Sequence, residues 1–239
     1  MSGLKSAFSQ GLFQQSSTKL ERLGALRVEA DGRKFRYAKA GAAIAAGKNT
    51  SMAVAVAHHV NVAIPAAYPI GAMQLSVAVG ATAVTADQYA DGYLQVNDAT
   101  GEGHTYRIES NTACDASGTT VVQLADPLIV ALVASTSEVS LIPNPWSAVI
   151  INANATDGPA GCTLRAMTSG YYGWVQTGGV GGYVSDGTPA VGQMLVLSST
   201  DGALELGNAT YTSTEPIVAI ALATAGVDQE FKPCIYTLD

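Results

Sequence analysis

Apolar residues in this chain recur at every second position and nowhere hold the spacing of one helix face over a long stretch. Side chains alternate across a strand but wind around a helix every 3.6 residues, so this pattern confines the chain to β structure. Val54 and Val56, then Val60, Val62 and Ile64, then Leu75, Val77 and Val79 take alternate places. Arg33, Phe35 and Tyr37 likewise share one face of a predicted strand. Turn signals punctuate the runs: Asp31-Gly32, Asp91-Gly92, Ser117-Gly118, Asp186-Gly187 and Asp201-Gly202. Between them, strands are predicted over residues 93–96, 105–108, 119–124, 138–142, 147–152, 173–177, 194–198, 217–222 and 231–238. Short strands at this spacing argue for a β-sandwich or β-barrel. One short helix is predicted after Ser16 or Ser17, with Glu21 in it and Gly24 ending it. Residues 125–134 could form another, although strand chemistry flanks them on both sides.

The segment GYYGWVQTGGVGGYVSDGTPAVGQ, residues 170–193, raises three possibilities. A phosphate cradle needs a helix after its glycines, and strand and turn chemistry follows instead. Tyr171, Tyr172, Trp174 and Tyr183 could form a sugar-stacking platform. Alternatively, a strand placing Tyr172, Trp174 and Gln176 on one face and Tyr171, Gly173 and Val175 on the other supplies the bulk that an alanine-rich core lacks. The core reading is the stronger expectation.

Little in the sequence points to catalysis. His58 and His59 are adjacent and would face opposite ways on a strand, and His104 stands alone. No GxSxG elbow, HExxH helix or Walker sequence occurs, and Asp91, Asp186 and Asp201 read as turn residues. The expectation is a protein that is not an enzyme, with no cofactor and no metal. Cys114, Cys162 and Cys234 are far apart, odd in number and outside any zinc spacing, so reduced thiols are expected. No run of eighteen apolar residues predicts a membrane span, and the first twenty residues lack the apolar run of a signal peptide. A soluble chain made in a cytoplasm is expected. Only 13% of residues are charged while 48% are hydrophobic, a balance suited to a surface that meets other protein.

Charge is unevenly placed. Residues 1–48 carry nine basic and three acidic side chains, and residues 49–239 carry three basic and sixteen acidic ones, giving +6 and −13 within a total of −7. A basic leader on an acidic body suits an anionic surface. Such a surface could be nucleic acid or acidic protein, and the acidic body argues against nucleic acid.

The pieces DGRKFRYAKAGAAIAAG, DGYLQVNDATGEGHTYRIESN, GYYGWVQTGGV with DGTPAVGQMLVLSS, and the ending PIVAIALATAGVDQEFKPCIYTLD resemble head decoration (capsid cement) proteins of tailed bacteriophages. The resemblance implies an all-β chain of small β-barrel or sandwich domains. An extended N-terminal arm would span residues 1–26, and residues 27–72 with 146–239 would form a discontinuous decoration-type barrel. Residues 73–145 would be an added β domain. The implied function is to bind the outer capsid surface in the virion and bridge neighbouring major capsid subunits, after synthesis in the host cytoplasm. A homotrimer is the first expectation and a dimer the second, with neither nucleic acid nor membrane as partner. On this reading Phe8, Leu12 and Phe13 are apolar capsid anchors, and Arg22, Arg27, Arg33, Lys34 and Arg36 make polar capsid contacts. The alternative is a receptor- or glycan-binding module of the virion surface, which requires the aromatic rings of residues 171–183 to be exposed.

Overall fold

Glycine runs that look like a break in the sequence turn out to be the longest strand of the molecule. A computed structural model describes residues 8–207, 215–224 and 226–239. In chain order the strands are β1 (Leu26–Val28), β2 (Lys34–Lys39), β3 (Asn49–Ser51), β4 (Val62–Ala63), β5 (Gln74–Ala78) and β6 (Tyr93–Asp98). Then follow β7 (Thr105–Asn111), β8 (Thr119–Leu124), β9 (Glu138–Ile142), β10 (Ile150–Ile151) and β11 (Pro159–Thr163). The last five are β12 (Tyr172–Ser185), β13 (Met194–Leu197), β14 (Ala203–Leu206), β15 (Ile217–Ala221) and β16 (Phe231–Thr237). A single 3-10 turn, Ala57–His59, is the one helical element among the described residues, and no described helix could cross a membrane. The chain is all-β, as its alternation predicts.

Two compact units divide it: residues 1–53 with 145–239, and the inserted residues 54–144. The insert begins at Val54, not at residue 73 as expected. Val62 and Ala63 ladder with β9, and Ile64 is buried with Leu75 and Leu141, so residues 54–72 belong to the insert's own core. The alternation of Val54 and Val56 makes no strand, because the chain crosses there from one unit into the other.

In the first unit, β12 belongs to two closed rings of strands. Its N-terminal half pairs with β2 along one edge and β11 along the other. β11 pairs with β3, β3 with β10, and a bridge from Val149 to Ala40 returns the ring to the end of β2. The C-terminal half pairs with β16, and Val184 and Ser185 lie parallel to β14. From there the order β14, β13, β15, β16 closes a second ring. The change of partner falls at a bulge between Gln176 and Gly178. There the Gln176 amide is buried and donates to the carbonyls of Gly178 and Val180 at 3.1 and 2.9 Å.

At one point of this stretch only glycine fits. Gly179 has φ +78°, and a Cβ there would stand 2.9 Å from the Arg33 Cα. A side chain would therefore meet backbone in a conformation that already disfavours L residues. Inside the first ring lie Ala38, Ala40, Ile44, Val149, Met167 and Val175, and inside the second lie Tyr183, Leu195, Leu197, Leu204, Val218 and Tyr236. Phe35, Tyr37 and Trp174 project instead from the outer face of β2 and β12.

The insert has a barrel-like sheet of its own, ordered β4-β9-β6-β7-β8-β5, around Leu94, Ile108, Val122, Leu141 and Tyr89. Residues 125–134 form a loop and no helix. Leu128 and Leu132 turn inward from it while Ile129 and Val133 point out. His58 and His59 sit in the 3-10 turn and not on a strand. His59 is fully buried, its Nε2 donating to the Thr82 carbonyl at 2.8 Å and its Nδ1 accepting from the Tyr89 hydroxyl at 2.5 Å. Burial pushes that phenol up to about 12.

Candidate docking surface

The basic leader is where a capsid contact was expected, and most of its described cations engage the chain itself. From residue 8 on, the expected extended arm is a strap laid over the outer face of β2 and β12. Phe8 meets Trp174 edge-on, with ring centroids 4.9 Å apart, and Leu12 and Leu23 pack on the same aromatic cluster. Gln10, which carried no signal in the sequence, pins the strap. It is buried, accepts from the Tyr37 hydroxyl at 2.7 Å and donates to the Tyr172 carbonyl at 3.0 Å. Trp174 Nε1 donates to its carbonyl at 3.2 Å. Backbone bonds between Ser16 and Tyr172 fix the next stretch, so residues 16–24 run irregularly where a short helix was expected.

The cations are also engaged. Arg27 donates to Glu29 at 2.5 Å and to the Gln10 carbonyl at 3.1 Å, and its guanidinium lies 5.4 Å from the Phe8 ring centroid. Arg33 pairs with Asp31 at 2.7 Å in the turn that joins β1 to β2. Arg36 holds both carboxylate oxygens of Asp239, at 2.8 and 2.5 Å, and the Gly24 carbonyl at 2.9 Å. That fork holds the Asp239 carboxyl below the usual carboxylate range. Lys34 is half-buried, with its stem against Gly178. Of the residues expected to grip a capsid, only Phe13 and Arg22 are left largely exposed. Phe8, Leu12, Arg27, Arg33, Lys34 and Arg36 are half-buried and serve the strap and its barrel. Opposite charges lie within reach inside the same chain, which a sum over 48 residues conceals.

The aromatic stretch behaves as core. Trp174 and Tyr183 are buried, Tyr171 and Tyr172 are half-buried, and Tyr172 stacks on Tyr37 at 6.0 Å, which leaves no shelf of exposed rings.

Uncharged apolar surface lies elsewhere, and one part of it crosses the second ring. Val180, Ile235, Ile220 and Met194 are cross-strand neighbours on β12, β16, β15 and β13. All four point outward, the reverse of Cys234, Tyr236 and Ala221 beside them. Strand alternation puts one set inside and the next outside, and here both sets are apolar.

A second part lies in the insert. Backbone bonds from Gly71 to Leu128 and from Leu128 to Ala72, at 2.8 and 2.9 Å, tie two loops together. On them Ile70, Ile129 and Val133 are exposed. Among the described residues, no three of His, Cys, Asp and Glu are grouped to hold a metal ion. Asp186 accepts from the Ser198 and Thr200 hydroxyls and so orders its own turn. No protein-family model, curated protein or solved structure matches the chain.

Proposed function

We propose that this chain is a structural protein of the tailed-phage virion, which docks on the outer face of the assembled capsid and bridges neighbouring major capsid subunits. The observation that carries the reading is the placement of large apolar side chains outside both units. Soluble monomers rarely leave contiguous apolar patches without a use. Ile70, Ile129 and Val133 sit on loops cross-tied by backbone bonds, so they can enter a partner's groove with little loss of freedom on binding. A protein that bridges subunits needs broad contact faces on a rigid frame, and avidity over many copies makes up for weak single contacts. The resemblance of the β12–β16 segments to decoration proteins points the same way.

Removing residues 1–40 is no test of docking, because it deletes β2 from a closed ring. A suitable test is co-sedimentation of the full chain with undecorated heads of the matching phage. Saturable binding is expected, weakened at least tenfold by Ile70→Asp with Ile129→Asp. Absence of saturable binding by the folded wild-type chain would sink the reading.

A further inference from the structure

We infer that the surface receiving the insert is basic: the loop face of Ile70, Ile129 and Val133 seats in an apolar groove rimmed by lysine and arginine side chains on a coat subunit. The inference rests on the docking proposed above and adds the chemistry of the partner. The insert, residues 54–144, carries eight acidic side chains and one basic one, whereas the rest of the chain carries eleven of each. All of the net charge of −7 therefore belongs to the unit that presents these loops.

Four of those acids stand at the rim of the face. Residues 68–72 and 128–132 run beside each other, Tyr68 and Leu132 exchanging backbone bonds of 3.0 and 2.9 Å. They leave Ile70, Ile129 and Val133 exposed by 68, 65 and 45%. Asp126 is exposed in the same loop, and Glu138 is half-buried beyond its far end. Residues 99–103, the turn between β6 and β7, lie against this loop. A Cβ on Gly101 would stand 3.0 Å from the Leu132 side chain, and Ser137 Oγ donates to the Thr100 carbonyl at 3.3 Å. That turn brings the exposed Glu102, and Asp98 at its start faces Glu138 in the ladder. None of the four makes an ion pair among the described residues, and Arg107, the insert's one cation, makes none either. Complementary potentials speed encounter and like charges oppose it, so an apolar face with unpaired carboxylates at its rim selects a groove with a basic rim. The apolar centre then supplies the holding contact. This polarity is the reverse of the one that docking through a basic leader would need.

The test is co-sedimentation of the full chain with undecorated heads of the matching phage at about 0.1 and about 1 M salt, a change that shortens the screening length from about 10 to about 3 Å. Glu102→Lys with Asp126→Lys should weaken binding at least tenfold at the lower salt, and by less at the higher. Ile129→Lys should bind at least tenfold more weakly than Ile129→Glu, since the two side chains have similar reach and only the carboxylate matches a basic rim. All three positions are exposed, so the variants should fold. Wild-type binding of equal strength at both salts, unchanged by the double reversal, would overturn the inference and leave the proposed function standing. Equal binding by the two Ile129 variants would do the same. A folded wild-type chain that binds no heads would sink both. Self-association of the chain alone, dispersed by the double reversal, would give the face to a second copy and overturn the inference.

Discussion

Burial pushes the Cys162 thiol up to about 11 and Cys234 up to about 12, the latter also raised by Cys162 nearby. Thiolate is the reactive form, so both are inert near neutrality, whereas Cys114 is only half-buried. With a thiol-alkylating reagent at about pH 8, the native chain should label at Cys114 alone and the unfolded chain at all three cysteines. Mass spectrometry would read this, and rapid native labelling of Cys234 would contradict the burial described here. That no two of these cysteines are joined agrees with the expectation from their count and spacing. The role of Gln10 was not legible, because the carbonyl it binds on Tyr172 lies 162 residues away along the chain. Nor could the sequence tell that Arg36 meets Asp239, since that pair is made only when both ends of the chain reach the same ring.

Among the elements, the strap over Phe35, Tyr37 and Trp174 replaces the arm that was expected. Trp174→Ala removes the indole that touches both Phe8 and Tyr37. It should cost about 3–5 kcal/mol of stability, as large-to-small core changes do. Trypsin should then cut at Arg22 sooner than in the wild type. Equal unfolding midpoints and cleavage rates would mean that the strap is held some other way.

Strands with clear alternation and a turn at each end, such as β8 and β9, were legible to the residue. β11 and β14 were not, being short and built from small residues or flanked by loops. β12 was recognised only in its aromatic half. Glycine in a strand usually marks a break, whereas here it permits the backbone and rings of β2 and β16 to come close. The apolar row across the second ring was present in the sequence as Val180, Met194, Ile220 and Ile235. Its continuity depends on strand register, which no single segment contains.

For the whole molecule, the insert enters and leaves the first unit at neighbouring points, with Ala53 N donating to the Pro145 carbonyl at 2.9 Å. Replacing residues 54–144 by a short Gly-Ser linker should therefore leave the paired rings folded, with cooperative unfolding as the readout. Non-cooperative melting would mean that the first unit needs the insert. The insert ends at Asn144, beside the expected boundary after residue 145, but its start was not legible, because alternation continues across it. The split of charge between leader and body was equally plain, whereas the ion pairs that Arg27, Arg33 and Arg36 make within the chain were not.

A strand shared by two rings also sets a timetable for synthesis. β2 is complete by residue 39, yet the strand that pairs with it begins at residue 172. At about 5–20 residues per second a ribosome needs on the order of ten seconds to close that gap. The insert emerges whole in the interval and can fold first, while β2 and the strap wait for Tyr172 and Trp174, which complete their cluster. The interval before β12 appears is thus the nascent chain's most vulnerable moment, and the one at which a chaperone would help it most.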